Sequence, residues 1–286
     1  VAEQSVSAYP SLRASDIEDL EIDLPSLTEQ KRIASVLCSI DDKISINSRI
    51  NHNLEEQVQA LYKSWFVDFE PFKGEEYIES EIGMIPSSCK VSRLQDVCEL
   101  ITKGTTPTSL GLRFSDDGIP FVKVESISDA HTLDEGKFAF IAAEANEALS
   151  RSKIKSGDIL FTIAGTLGRF CLVPKRISQA NTNQAVSIIR VDQTILPVEY
   201  VYSLLLGGYH IDYCTRNIQQ AVQANLSLGT LKNLPIIIPR PDKLEQYCLT
   251  VMQLINGIEL KKDETRLLSI SRDSILPKLM SGCLSC

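Results

Sequence analysis

The chain carries a helical pattern of apolar positions over two long stretches, one near each end. The first stretch follows Pro25 and continues without glycine or proline through Phe69. Its apolar positions recur at alternating steps of three and four residues, which keeps one seam pointed at a partner helix. The predicted seam consists of Ile33, Leu37, Ile40, Ile44, Asn47, Asn51, Leu54, Val58, Leu61 and Trp65. Ser26 and Glu29 have the spacing of a capping box, which predicts that the helix begins there.

The second stretch repeats the first at a distance of 214 positions, as in the pair Leu20 and Leu234. The Glu-Gln pairs at 29–30 and 245–246 coincide only after a shift of two residues. The second seam then returns to the spacing of 214 with Ile258, Leu268, Ile275 and Leu279. Repetition on this scale predicts two helices of equivalent role, each roughly 60 Å long.

Polar residues at the centre of each seam favour a paired arrangement of these helices. They are Asn47 and Asn51 in the first copy and Lys261 and Thr265 in the second. Buried asparagines lower the stability of a coiled coil but fix its register and orientation. We therefore predict an antiparallel coiled coil that acts as a spacer. The alternative is two amphipathic helices that lie separately on a globular domain. The length of the helices disfavours this alternative, because they are too long for ordinary surface packing.

Between the helices the pattern changes to short β-type runs separated by glycine and aspartate turns. These runs are "GIPFVKV", "SGDILFTIAG", "RFCLVP", "NQAVSIIRV" and "LPIIIP". Helical stretches are predicted among them over residues 142–150 and 197–209. The predicted fold class is therefore α/β (α+β), one mixed domain flanked by two long α-helices that form an antiparallel coiled coil.

The formal net charge of −8 is unevenly distributed along the chain. Residues 85–240 hold 16 basic and 14 acidic side chains, whereas the flanks hold 13 and 23. Within the middle, residues 151–190 hold seven basic side chains and a single acid, Asp158. Such a local surplus suits a surface that meets nucleic acid. The alternative is a charged face that only keeps the protein in solution.

Several classes of protein are disfavoured by what the sequence lacks. It has no run of 18 uncharged apolar residues and no secretory-type N-terminus, so no membrane contact is expected and the expected location is cytoplasmic. The eight cysteines are interpreted as reduced thiols. Cys283 and Cys286 form one C-x2-C pair, but a zinc site needs a second pair or paired histidines. No metal site is therefore predicted.

No catalytic residue is predicted either, because nucleotide-binding, methyltransferase and Ser-His-Asp motifs are absent. One coincidence with the PD…ExK pattern of metal nucleases occurs at Asp242, Glu259 and Lys261. Those nucleases carry such residues on strands, whereas this segment is predicted as one helix. A metal-dependent nuclease is therefore a minor alternative, beside a helical scaffold that binds only protein.

Polar side chains on glycine-containing loops of the middle domain suit DNA. Lysine and threonine can bind phosphates, arginine can address guanine and amides can pair with adenine. The predicted DNA-binding residues are Lys103, Thr105, Thr106, Arg113, Lys123, Thr166, Arg169, Asn181, Asn183, Gln184, Gln219, Gln220, Gln223 and Asn225. For each of them the alternative is turn capping or satisfaction of a strand end.

The aromatic end of the first helix, "YKSWFVDFEPF", could stack on bases or dock the helix onto a globular body. Asp68 and Glu70 lie among the rings and disfavour nucleic acid. We therefore predict docking.

Several segments together resemble the DNA-specificity subunit of type I restriction-modification enzymes. They are "LPSLTEQKRIASVLCSIDDKI", "ALYKSWFVDFEPF", "IPSSCKVSRLQDVCELITKGTTP", "GIPFVKV", "SGDILFTIAGTLGR", "NTNQAV" and "LPKLMSG". The resemblance covers nearly the whole chain and rests on the order of these segments and on the duplicated helices. Cys89 departs from it, because the family usually has tryptophan there.

The resemblance implies a non-catalytic subunit in which a target-recognition domain reads double-stranded DNA and the helices hold methyltransferase subunits. The cofactor S-adenosylmethionine would belong to the methyltransferase, and none is expected on this chain. A restriction subunit and a homodimer through the helices are further partners to consider.

Family members normally have two recognition domains, whereas this chain shows one. The expected division is 1–25, the tail of a truncated first recognition domain; 26–69, a spacer helix; 70–84, a linker; 85–240, the recognition domain; and 241–286, the second spacer helix.

Overall fold

The computed structural model describes residues 13–21, 24–217 and 225–280. The α-helices are α1 (Ala14–Glu18), α2 (Leu27–Phe66), α3 (Ala143–Ala148), α4 (Val198–Leu206), α5 (Tyr209–Arg216), α6 (Leu228–Lys232) and α7 (Pro241–Met280). The strands are β1 (Tyr77–Ser80), β2 (Gly83–Pro86), β3 (Lys90–Arg93), β4 (Cys98–Lys103), β5 (Phe114–Ser115), β6 (Ile119–Val122), β7 (Ala139–Ile141), β8 (Ile159–Thr162), β9 (Phe170–Leu172), β10 (Asn181–Thr182), β11 (Val186–Val191) and β12 (Pro235–Ile238).

The described strands form two larger and two smaller sheets. One four-stranded sheet has the order β4-β11-β8-β9 and is antiparallel throughout. The other has the order β10-β6-β7-β5, in which only the β10-β6 pair is parallel. The pairs β1-β2 and β12-β3 are antiparallel. This mixed architecture confirms the predicted fold class.

The chain divides into two compact units, each of which contains part of both long helices. One unit comprises the residues up to Ile46 and from Glu264 onward, and the other comprises Asn47–Asp263. In the first unit, Arg272 Nη1 lies 2.9 Å from Asp41 Oδ1. Lys43 Nζ lies 3.4 Å from Glu264 Oε1. Later residues of α7 therefore lie beside earlier residues of α2, which is an antiparallel pairing.

The second unit shows the same direction of pairing. A Cβ atom on Gly257 would lie 3.4 Å from Cδ1 of Leu54, so the helices approach closely there. Farther along α2, the rings of Trp65 and Tyr247 have centroids 5.4 Å apart. Every predicted seam residue is buried or half-buried. The predicted antiparallel coiled coil is confirmed, in preference to helices that lie apart.

The repeat predicted from the sequence is also present in the helices of the structure. Helices α2 and α7 both contain 40 residues, and their first residues, Leu27 and Pro241, are 214 positions apart. The short helices α1 and α6 also begin 214 positions apart, at Ala14 and Leu228. The shift of two residues inferred from the Glu-Gln pairs is therefore wrong, because one spacing holds from α1 to the end of α7.

The aromatic end of α2 docks onto the mixed domain, as predicted. Trp65, Phe66 and Phe72 are buried. The Phe66 ring meets Tyr200 of α4 and Tyr247 of α7 edge-on, with centroid distances of 5.4 and 4.8 Å. These rings share one hydrophobic core with the sheet β4-β11-β8-β9, so they hold the helix on the body of the domain.

The segment predicted as a linker, 70–84, contains regular structure. A 3-10 turn covers Glu70–Phe72, and the hairpin β1-β2 occupies most of the remainder. The hairpin was missed because its strands expose apolar side chains such as Ile78 and Met84, so the usual alternation of buried and exposed positions is lost.

No described helix is both long enough and apolar enough to span a membrane.

Candidate nucleic-acid interface

Most of the predicted DNA-binding residues lie at strand ends that meet at one edge of the sheet β4-β11-β8-β9. Because neighbouring strands are antiparallel, the end of β4, the start of β11, the end of β8 and the start of β9 lie together. Lys103 lies opposite Ser187, and Phe161 lies opposite Phe170. We call this region the polar sheet edge. It comprises Lys103, Thr105, Thr106, Lys123, Arg151, Thr166, Arg169, Asn183, Gln184 and Asn225.

The loop after β4 packs directly against the loop before β11. A Cβ atom at Gly104 would lie 1.9 Å from the carbonyl oxygen of Thr182, so only glycine fits there. The N–H of Thr105 donates to the same carbonyl at 3.2 Å. The Thr106 hydroxyl donates to Oε1 of Gln184. These contacts bring two of the predicted threonines beside a predicted glutamine.

Arg151 also reaches this edge, although the sequence analysis placed it only in the basic window, the stretch of residues 151–190 with seven basic side chains. It lies in the 3-10 turn after α3, and its Nη2 donates to Oγ1 of Thr105 at 3.1 Å. The basic window was the only sequence signal that could have found it, because nothing local links residue 151 to residue 105.

The hairpin between β8 and β9 contributes Thr166 and Arg169. Gly165 and Gly168 have φ angles of 75° and 81°, in the left-handed region that favours glycine. These two glycines allow the chain to turn sharply enough for both polar residues to lie at the edge.

Backbone hydrogen bonds join this hairpin to its neighbours. The N–H of Ile163 donates to the carbonyl of Ala185 at 2.8 Å. Asn225 forms a β-bridge with Ala164. The segments before β11 and after the undescribed residues 218–224 are therefore held at the same edge as the hairpin.

Lys123 and Arg113 come from the second large sheet. Lys123 follows β6, in which Val122 lies opposite Thr182 of β10. Its Nζ lies 4.9 Å from the ring centroid of Phe114, within the range of a cation–π contact. Arg113 is exposed and directly precedes that ring.

For Asn181 the structure corrects the predicted DNA contact. Its side chain is fully buried. Its Nδ2 donates to Asn146 Oδ1 and to the Leu149 carbonyl at 3.0 and 3.1 Å. Its Oδ1 accepts from Ser152 Oγ at 2.7 Å and from the N–H of Thr182 at 2.9 Å. The amide is therefore saturated by the protein and is not presented to a base.

Asn183 and Gln184 differ in exposure. Asn183 is half-buried, and its Oδ1 accepts from the N–H of Ala185 at 3.1 Å, a turn-capping contact. Gln184 is exposed.

Three further predicted amides, Gln219, Gln220 and Gln223, lie outside the described residues, as do Cys283 and Cys286.

Part of the basic surplus in residues 151–190 is neutralised by acids. Arg190 pairs with the buried Asp158 at 2.8 Å. This hydrogen bond raises the pKa of Arg190. Other pairs join Lys153 to Glu147, Arg169 to Asp129, and Arg176 to Glu135 and Asp263. The positive charges of these residues are therefore paired with acidic side chains of the same chain, so they do not form an unpaired cationic surface.

One acid and one histidine shape the charge beside Arg169. Asp129, which no sequence pattern singled out, carries the carboxylate paired with Arg169. His131 lies two residues farther on, and burial lowers its pKa to about 4. The imidazole is therefore neutral near pH 7 and adds no positive charge here.

The nuclease alternative is contradicted by the geometry of α7. Asp242 and Glu259 lie on one continuous helix, and a separation of 17 residues places their backbones about 25 Å apart. They cannot share a metal ion. Within the described part of the chain, no group of three or more His, Cys, Asp or Glu residues could hold one.

The described chain thus has a mixed α/β domain carried on paired antiparallel helices, with polar loops gathered at one sheet edge. The family model described as "Type I restriction modification DNA specificity domain" matches residues 2–56 and 86–269. The chain belongs to this family.

Two curated relatives and one solved structure illustrate the similarity. The type I restriction enzyme MjaIX specificity subunit of Methanocaldococcus jannaschii is 28% identical over 281 residues, covering 96% of this chain and 63% of the relative. The HindI specificity subunit of Haemophilus influenzae is 23% identical, covering 99% of this chain and 73% of the relative. The crystal structure of the S subunit from M. genitalium shares the fold, with a TM-score of 0.58, 19% identity and coverage of 94% of this chain and 65% of that chain. The chain thus spans about two thirds of the length of these relatives.

Proposed function

We propose that this chain is a non-catalytic DNA-specificity subunit of a type I restriction-modification complex. In this proposal, the mixed domain binds double-stranded DNA through the polar sheet edge. The helices bind methyltransferase subunits, and S-adenosylmethionine is bound by the methyltransferase rather than by this chain. A restriction subunit joins the same complex, and the complex resides in the cytoplasm.

The observation that carries the proposal is the convergence of polar residues from distant parts of the sequence on one edge of a domain of this family. Lys103 ends strand β4, Gln184 lies just before β11 and Thr166 lies in the turn between β8 and β9, yet the sheet brings them to one edge. Threonine, lysine, arginine and amide side chains on loops are the groups that contact phosphates and base edges.

We also propose that residues 1–25 are the tail of another recognition domain. The support comes from equivalent positions of the repeat. Ile17 and Leu20 are 60% and 62% exposed, whereas their counterparts Leu231 and Leu234 are 0% and 2% exposed. Apolar side chains that are buried in one copy and exposed in the other suggest that the first copy needs a covering domain.

If a single recognition domain is present, we propose that two copies associate through their helices about a two-fold axis. Symmetric proteins read symmetric sites. The target would then be an interrupted palindrome.

The function is tested by purifying the chain with its methyltransferase and measuring retention of duplex DNA across a range of salt concentrations. We expect sequence-dependent retention. Lys103→Ala should weaken retention of all sequences and lower the salt slope by about one unit, because a phosphate contact would be lost. An exposed lysine on α7, Lys278, offers the matched control Lys278→Ala, which should leave DNA retention unchanged.

Two outcomes would contradict the proposal. Copurification with a methyltransferase but no retention of DNA would favour a scaffold that binds only protein. Retention without any preference among sequences would leave a DNA-binding protein that does not specify a target.

A further inference from the structure

Arg169 is held in a fixed orientation by an acid that lies 40 positions earlier in the sequence. Its Nε and Nη2 donate to the two carboxylate oxygens of Asp129 at 2.7 and 2.8 Å. Its Nη1 donates to the carbonyl of Ile127 at 3.2 Å. A guanidinium group has five N–H donors, so two remain, one on Nη1 and one on Nη2. The side chain is 25% exposed and can therefore reach a ligand.

Asp129 belongs to a tight loop. Ile127 and Leu133 form a β-bridge that closes the loop. Inside it, the N–H of Ser128 donates to the Thr132 carbonyl at 3.0 Å, and the N–H of His131 donates to the Ser128 carbonyl at 3.2 Å. These bonds fix the backbone of the loop from which the Asp129 carboxylate projects.

The same loop is attached to strand β9, which directly follows Arg169, and to helix α7. The His131 ring stacks on Phe170, the residue after Arg169, with a centroid distance of 4.0 Å. His131 Nδ1 lies 3.2 Å from the Phe170 carbonyl. Lys262 of α7 donates to the His131 carbonyl at 2.9 Å. The acid and the arginine are thus positioned by the same packed elements.

We propose that Asp129 is a positioning and specificity-determining residue, which orients Arg169 so that its two remaining N–H groups read the O6 and N7 atoms of a guanine. This inference rests on the proposed function, because it assumes that the polar sheet edge meets DNA. A bidentate contact of arginine with guanine needs two N–H groups in a fixed plane, and the carboxylate and the Ile127 carbonyl together fix that plane.

Asp129 also disfavours binding that is independent of sequence. Its carboxylate is 80% exposed beside the guanidinium. A phosphate that approached Arg169 would meet this negative charge, whereas the neutral edge of a guanine would not. The pair therefore selects a base over the backbone, which is how a repulsive element adds specificity.

The test uses the chain in complex with its methyltransferase and a library of duplex DNA, with the retained sequences read by sequencing. Arg169→Lys and Asp129→Ala should both reduce the preference for guanine at the same base pair, by roughly tenfold or more. Preferences at other base pairs should persist. Asp129→Ala should in addition raise the retention of random DNA. Asp212→Ala on α5 removes another exposed acid and should change neither quantity.

Three outcomes would overturn the inference. Asp129→Ala could keep the guanine preference that Arg169→Lys loses. It could instead weaken every base preference together with the thermal midpoint, as a purely structural residue would. The wild-type complex could show no sequence preference at all, in which case the proposed function fails as well. Selective loss of one guanine with an unchanged midpoint distinguishes the positioning role from both failures.

Discussion

Burial separates the polar residues of the mixed domain into those that build it and those that are available to a ligand. Asn181 and Gln184 are three positions apart in the sequence and were given the same predicted role. Asn181 is fully buried with four hydrogen bonds, whereas Gln184 is exposed at the polar sheet edge. Their sequence context could not separate them, because both are amides beside a short strand.

This contrast gives a prediction at the residue scale. Asn181→Ala should lower the free energy of unfolding by about 2 to 4 kcal/mol, because it leaves several buried partners without hydrogen bonds. Gln184→Ala should change it by less than about 0.5 kcal/mol, while still weakening DNA retention. Urea denaturation of the two variants measures both changes in the free energy of unfolding. Equal stabilities would mean that the Asn181 network contributes little to the fold.

The equivalent elements of the repeat differ in what covers them. The segment that contains α6 and β12 packs into the core, where Leu234 is 2% exposed and β12 pairs with β3. The corresponding segment that contains α1 leaves Leu20 62% exposed. Corresponding segments of the repeat therefore form a short helix in both places, although the two helices differ in sequence, and only one copy is buried within the described structure.

At the element scale, the repeat supplies a matched pair of substitutions. Leu234→Asn should cost about 3 kcal/mol or more, because a buried apolar side chain is replaced by an amide. Leu20→Asn should cost less than about 0.5 kcal/mol in the isolated chain. Thermal or urea unfolding measures both. A large loss for Leu20→Asn would show that this segment is already packed, and the proposed covering domain would lose its support.

At the scale of the whole molecule, the described part of the chain has two antiparallel 40-residue helices with one mixed domain between them in the sequence. If two chains associate through the helices, the complex should have two-fold symmetry. Sizing by light scattering should then give two copies of this chain in each complex. Sequencing of methylated sites should yield an interrupted palindrome.

A different target would exclude that arrangement. A complex with this chain as the sole specificity factor that methylates an asymmetric bipartite site cannot contain two equivalent recognition domains. One copy per complex by light scattering would lead to the same conclusion.

The sequence by itself determined the two long helices, their seam, the mixed domain and the family, since each depends on patterns carried by neighbouring residues. Apolar steps of three and four define a helix face whatever it packs against, and a repeat at 214 positions is visible without coordinates. The strands around Ile159 and Ile188 were likewise found, because buried β-type runs bounded by glycine or polar residues are local signals.

Only the tertiary structure decided which polar residues meet. The register of β4 and β11 places Thr106 beside Gln184, and the packing of His131 on Phe170 places the loop of Asp129 beside Arg169. These pairs are 78 and 40 positions apart, so no local pattern records them. The burial of Asn181 was missed for the same reason, whereas the hairpin β1-β2 is local and was missed because its strands expose apolar side chains. Contacts between distant residues arise from the packing of the whole domain, whereas periodicity reports only the preferences of adjacent ones.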